Sequence, residues 1–356
     1  MATTFAVPDG RVAMAATLYT GTGAGSPQSI SNAVNAVSFQ PGLVWVKARN
    51  ANGNNAVTDS VRGAYLQLIT QLTNAEANYS PYGVTAFNAN GFGVNDDNSG
   101  NYSVNGAAGG LYSGTPPNYV AWQWKAGGTA VSNTAGTITS SVSANTTAGF
   151  SIVKYTTSTT NSTVGHGLGV APSLVIVRYT GTISNWFVYH ASVGAGSYVM
   201  LNSTNAQAAL ATLWNSTSPT STVFSVGTAW TAAVDTIAYC WAPVAGYSAF
   251  GSYTGNGSAD GPFIYTGFRP RWIMIKGSTY VSSWIIFDTS RSLYNESKLL
   301  LYPNDSATEN TNAYGIDVLS NGFKLRQPTG YGSNNSGETY IYACFAENPL
   351  RYSNAR

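Results

Sequence analysis

The chain has 356 residues, long enough for two or three domains, with 44% apolar but only 8% charged positions against about 25% in an average soluble protein. A net charge of +2 without a basic cluster excludes a nucleic-acid footprint, and no apolar stretch approaches the ~18 residues of a membrane span. The first 25 residues show no charged region followed by an apolar one, so no Sec signal is read there and secretion by that route is not expected.

In chain order, residues 1–14 read as an arm with a Pro8-Asp9-Gly10 turn, and after it four landmarks recur three times in the same order. First comes a tyrosine in a Thr/Gly turn: Tyr19, Tyr155 and Tyr253, lying 22, 17 and 17 residues before a proline. That proline opens an apolar, β-branched run ending in a cation. The copies are Pro41-Gly42-Leu43-Val44-Trp45-Val46-Lys47, Pro172-Ser173-Leu174-Val175-Ile176-Val177-Arg178 and Pro270-Arg271-Trp272-Ile273-Met274-Ile275-Lys276. Downstream stand Asn185-Trp186-Phe187-Val188-Tyr189-His190 and Ser283-Trp284-Ile285-Ile286-Phe287-Asp288; the first copy has lost the tryptophan and reads Ala56-Val57-Thr58-Asp59. A Phe-centred strand follows (Phe92, Phe224, Phe323). Each copy closes on an aromatic strand: Trp122-Gln123-Trp124, Tyr239-Cys240-Trp241 and Ala343-Cys344-Phe345.

The pattern predicts an all-β fold of three tandem jelly-roll-like β-sandwich modules with few short helices: module A over 15–126, B over 127–245, C over 246–350, then a tail at 351–356. The Gly/Asn/Tyr segment 95–118 reads as a long surface loop. The uncharged stretch 127–149 reads either as a linker or, preferred because 136–143 alternates β-branched with small residues, as an opening strand of module B. Helical spacing of Leu66, Ile69 and Leu72 predicts a helix over 65–77, and an Ala-rich run another over 205–213. Cys240 and Cys344 occupy equivalent strand positions in separate repeats. Both are expected to be buried, reduced thiols.

Catalytic chemistry finds little purchase. Glycoside cleavage needs two carboxylates flanking one bond; Asp288 with Glu338 or Asp317 is the best set, but the position aligned with Asp288 holds His190 in the second copy and Asp59 in the first. His166 and His190 lack an accompanying nucleophile elbow, and His166 reads as a loop residue bonded to backbone. No metal or cofactor is expected: the His and Cys spacings make no zinc set, and Asp96-Asp97-Asn98-Ser99-Gly100-Asn101 lacks the downstream glutamate of a calcium loop. Gly255-Asn256-Gly257 is followed by no helix, so it is not a phosphate loop. Aromatics are the surplus. The tryptophans on the recurring strands (Trp45, Trp122, Trp124, Trp186, Trp241, Trp272, Trp284) are expected in cores or between modules. Tyr189, Trp214 and Trp230, less tied to the repeats, are expected to be exposed, and with Asp288 form the predicted ligand-binding set.

With these landmarks the chain resembles a family of bacteriophage virion proteins, tail-fibre-like and frequent in marine phages. The resemblance rests on Phe39-Gln40-Pro41-Gly42-Leu43-Val44-Trp45-Val46-Lys47, Asp59-Ser60-Val61-Arg62-Gly63, Gly251-Ser252-Tyr253-Thr254-Gly255-Asn256-Gly257-Ser258-Ala259-Asp260-Gly261-Pro262 and Phe345-Ala346-Glu347-Asn348-Pro349-Leu350-Arg351-Tyr352. It implies lectin-like modules and a virion location, reached from a host cytoplasm by lysis. The expected role is a non-enzymatic surface adhesin with weak, multivalent carbohydrate sites. The expected partners are other virion proteins of capsid or tail, further copies of the chain in a homo-oligomer such as a trimer, and host-surface glycans. Neither nucleic acid nor membrane is expected. No baseplate-anchoring domain, heptad run or collagen-like stalk is read in the sequence, which keeps capsid decoration (a cement or head-fibre protein) as the alternative and a polysaccharide depolymerase as the third reading. The arm 1–14 and the tail 351–356 are the expected attachment points.

Overall fold

Alternation dictates the architecture: a strand in which even and odd positions are both apolar needs a core on each side. The computed structural model describes residues 5–96, 104–106 and 116–346. The Pro-led strands Leu43–Ala48, Leu174–Tyr179 and Pro270–Gly277 are buried at every position. Each lies centrally in an antiparallel sheet. In the first repeat the order is Met14–Thr20, Asn118–Trp124, Leu43–Ala48, Ala56–Asp59, Leu66–Ile69. The second repeat places Phe150–Thr156, Asp235–Trp241, Leu174–Tyr179, Phe187–His190 and Ser197–Met200 likewise, and the third Ser248–Thr254, Thr339–Ala346, Pro270–Gly277 and Ile285–Asp288. A smaller sheet carries the Phe landmark in each, on Gly91–Asn95, Val223–Val226 and Gly322–Leu325. The fold is all-β and sandwich-like, as the repeats predict.

One face of each large sheet packs on its own smaller sheet. Val44 and Val46 meet Phe92, Val175 and Val177 meet Phe224, and Ile273 and Ile275 meet Phe323, in three separate cores. The opposite faces, with Leu43, Trp45, Ile176, Trp272 and Met274, converge on a fourth core to which all three repeats contribute. At its centre Trp124 makes edge-to-face contacts with Trp241, Trp272 and Phe345 at centroid distances of 5.8, 5.3 and 5.6 Å. The recurring tryptophans are therefore core and inter-repeat residues. Cys240 and Cys344 are buried and unbridged, in the second and third sandwich cores.

The repeats close on one another in a cycle. Strand register aligns Asp59, His190 and Asp288, paired with Leu43, Leu174 and Trp272. Asp59 accepts from the Tyr239 hydroxyl of the second repeat at 2.8 Å. The His190 Nε2 meets the Tyr342 carbonyl of the third at 3.1 Å, and Asp288 accepts from the Trp122 indole of the first at 3.0 Å. The terminal cations run the opposite way round: Lys47 to the Ser306 carbonyl (2.7 Å), Arg178 to that of Asn74, Lys276 to that of Thr204 (3.0 Å).

The two helix expectations fail here. Neither predicted helix forms: 65–77 holds the strand Leu66–Ile69 and 205–213 the short strand Ala208–Ala209, because sheet partners outbid a three-residue apolar spacing. Among the described residues the one helical element is the 3₁₀ turn Gly10–Val12, capped by the Asp9 side chain at the predicted turn. The arm packs onto the repeats, with Val7, Ala13 and Met14 buried in the shared core. The stretch 127–149 follows its preferred reading as strand and not linker: it carries the strands Val131–Asn133 and Ser140–Asn145 of the second repeat's large sheet. Within 95–118, Val104 and Asn105 are buried, whereas most of the predicted loop, most of the Asp96-to-Asn101 stretch and the tail 351–356 lie outside the described residues.

Candidate functional site

The predicted ligand-binding set is buried. Tyr189, Trp214 and Trp230 are 4%, 2% and 2% exposed, in the second repeat's own core. Tyr189 alternates inward beside Val175, its register partner. The segment carrying Trp214 and Trp230 folds over the end of that core, with the Trp230 indole donating to the Leu213 carbonyl at 2.8 Å. The gap beside Tyr189 and Trp214 leaves no room for a ligand. Asp288, 3% exposed, spends its carboxylate on the Arg291 Nε (2.5 Å), the Arg291 backbone N–H (2.9 Å) and the Trp122 indole (3.0 Å). Its proposed catalytic partners are engaged elsewhere, Asp317 by Arg326 at 2.6 Å and Glu338 by the Thr279 hydroxyl at 2.6 Å. His166 is a backbone-bonded loop residue as expected: its Nε2 lies 3.1 Å from the Thr220 carbonyl, and its Nδ1 accepts from the Leu168 N–H at 3.2 Å. Burial lowers its pKa despite the bond to Thr220.

The site that does form lies on the third repeat, where an open cleft of about 500 Å³ is walled by Tyr280, Tyr302 and Tyr331 with Asp305, Ser282 and Ser283 between them. Tyr280 follows the Pro-led strand Pro270–Gly277 and is braced edge-to-face by Tyr340 at 6.2 Å; Tyr331 is braced by Tyr314 at 5.0 Å. The Tyr302 hydroxyl accepts from the Asn310 side chain at 3.2 Å. Gly330 and Gly332, at φ 97° and 87°, supply the left-handed backbone that lifts the Tyr331 ring between them. Burial raises the phenol pKa of Tyr280 and of Tyr302.

One wall of this cleft, residues 302–306, is held from across the junction by the first repeat. Asn55 Nδ2 donates to the carbonyls of Tyr302 (3.2 Å) and Asp305 (2.8 Å). The Thr70 hydroxyl donates to the Pro303 carbonyl at 2.6 Å, and Lys47 Nζ and the Gly53 N–H both donate to that of Ser306. Burial draws the Lys47 pKa down to about 7, with the neighbouring Asp305 charge pulling it up.

Equivalent hydrogen bonds locate the matching positions in the other repeats. Asn55, Trp186 and Trp284 stand at one register position. Their side chains donate to the carbonyls of Tyr302, Ile69 and Met200 respectively, each on a neighbouring repeat. Where the third repeat has Tyr302, the first therefore has Ile69 and the second Met200. Sequence reasoning missed this cleft because its tyrosines lie outside every recurring landmark. The available signal was the converse, at Tyr302: an aromatic in one copy where the aligned residues of the others are Ile69 and Met200.

Phenol rings beside a carboxylate and hydroxyls suit a pyranose: its polarised C–H face packs on an electron-rich ring while hydroxyls bond to the polar groups. A larger cleft of about 900 Å³, where the N-terminal segment meets the first two repeats, is lined mostly by small residues, with Lys125 the one charged side chain on its wall among the described residues. Among the described residues no group of three or more His, Cys, Asp or Glu could hold a metal ion, and no helix is long and apolar enough to cross a membrane.

A family model, described as "Domain of unknown function (DUF7483)", matches residues 12–349, and the chain belongs to that family. No curated protein and no solved structure matches it. The match runs through all three repeats and includes the cleft and the junction that holds it.

Proposed function

We propose that this protein is a non-enzymatic surface protein of a bacteriophage virion that attaches to host glycans through the tyrosine cleft of its third repeat. The observation that carries the reading is that cleft: three braced phenol rings and a carboxylate on a wall fixed from a second repeat. A wall held before the ligand arrives loses little conformational freedom on binding, which favours affinity from a shallow site. The weakly charged, Ser/Thr/Asn-rich composition and the resemblance to tail-fibre-like virion proteins support the same reading. Because the three tyrosines occur together at one junction, avidity comes from several copies of the chain on one particle and not from its three repeats.

The test is an array of host-surface glycans probed with the full chain and with Tyr280→Ala and Tyr331→Ala. Losing one stacking ring is expected to weaken binding about tenfold, with a thermal melt of each variant verifying that it is folded at the assay temperature. Failure of the wild-type chain to bind any glycan, or indifference of binding to both substitutions, rejects the sugar site. Gold-labelled antibody on purified particles tests the virion location; a densely covered capsid together with a silent array would favour decoration.

A further inference from the structure

We infer that the cleft selects uncharged pyranoses, neutral or N-acetylated, against acidic ones; this rests on the sugar-binding reading above. Among the described residues Asp305 is the one charged side chain lining the cleft, and it is exposed. Its Oδ1 already accepts from the Ala307 N–H at 2.9 Å. A carboxylate keeps about four acceptor positions, so lone pairs remain for a vicinal pair of sugar hydroxyls. Glu338 adds a second negative charge beside the cleft, its carboxylate accepting from the hydroxyl of Thr279, the residue before Tyr280, at 2.6 Å.

Two buried cations, Lys276 and Lys47, stand behind the cleft, and neither offsets these charges for a ligand. The Lys276 ammonium donates to the carbonyls of Ser282 (2.8 Å) and Thr204 (3.0 Å) and is fully buried. Lys47 is fully buried behind the 302–306 wall, its ammonium donating to the carbonyls of Gly53 and Ser306, each at 2.7 Å. It steadies the wall but cannot reach a bound carboxylate. A uronate in the cleft would therefore place its carboxylate near Asp305 with no cation to pair it. At a separation of about 4 Å in a water-exposed site, that repulsion lowers affinity about fivefold. A neutral sugar instead donates hydroxyl protons to Asp305 in charge-assisted bonds.

The experiment is calorimetric titration of the full chain with neutral β-glucan and mannan oligomers, N-acetylglucosamine oligomers, and oligomers of guluronate and galacturonate. Wild-type protein and Asp305→Asn are compared; the substituted side chain is exposed, and a thermal melt verifies its fold. Uncharged oligomers are expected to bind at least fivefold more tightly than acidic ones, and Asp305→Asn to shrink that ratio by weakening the former and strengthening the latter. Acidic oligomers binding as tightly as neutral ones, with a ratio indifferent to Asp305→Asn, overturn the charge selection and leave the sugar site standing. Wild-type protein that binds none of the oligomers overturns both.

Discussion

Asn55 of the first repeat donates its side-chain amide to the carbonyl of Asp305 in the third, 2.8 Å away and 250 positions along the chain. It stands where the other two repeats have tryptophan, so the position that fills a junction with an indole elsewhere serves here to fasten a wall of the cleft. Asn55→Ala leaves the carbonyls of Tyr302 and Asp305 without this donor and is expected to cost about 1–2 kcal/mol. If the fastening matters for binding, glycan affinity falls as well. Urea denaturation and the array measure the two effects, and unchanged stability would show that the bonds contribute nothing net.

Because all three repeats share one core, the chain is expected to unfold as one cooperative unit and not as three. Calorimetry should give a single transition with equal calorimetric and van't Hoff enthalpies. Trp124→Ala removes the ring touching Trp241, Trp272 and Phe345 and should lower the stability of the whole by about 3–5 kcal/mol. Three separable transitions would contradict a common centre.

His190 makes the second-to-third junction acid-sensitive. Burial lowers its pKa to about 4 from 6.5, although the bond to the Tyr342 carbonyl works in the opposite direction. Neutral, it donates from Nε2 to that carbonyl and accepts at Nδ1 from the Ser192 N–H at 3.1 Å; a second proton would set donor against donor. The unfolded chain takes up the proton first as pH falls. Its contribution is thus complete above pH 6.5 and is lost as pH drops through the folded value near 4, roughly 3 kcal/mol in all. His190→Gln should flatten that part of the stability–pH curve. Identical curves for the two proteins would show that this histidine does not drive the loss.

Burial pushes the thiol pKa of Cys240 upward, and that of Cys344 likewise. Neither should react with a thiol reagent in the native protein at pH 8, whereas denaturant should expose two thiols per chain. Rapid native labelling of either would contradict the burial.

The repeat landmarks were sound guides wherever side-chain period alone sets the environment. Trp45 and Val46, adjacent on one strand, had to enter different cores, and Cys240 and Cys344 had to sit alike. Guides based on exclusion from the repeats failed. Trp214 and Trp230 lie outside the recurring pattern yet complete the second sandwich core, because an insertion can bring its own apolar cover. Asp288 looked like a strand-end carboxylate open to solvent. Its burial depends on Trp122, 166 positions away, which no local reading connects to it.

By itself the sequence determined the all-β class, the threefold repetition and the burial of the recurring aromatics, since strand alternation and self-similarity are local properties of the chain. Only the tertiary structure decided that the repeats close into a cycle around a shared core, that the predicted ligand residues lie inside, and that Tyr280, Tyr302 and Tyr331 wall one cleft. Those outcomes depend on which loops meet across junctions, and contacts between residues hundreds of positions apart leave no periodic trace in the chain.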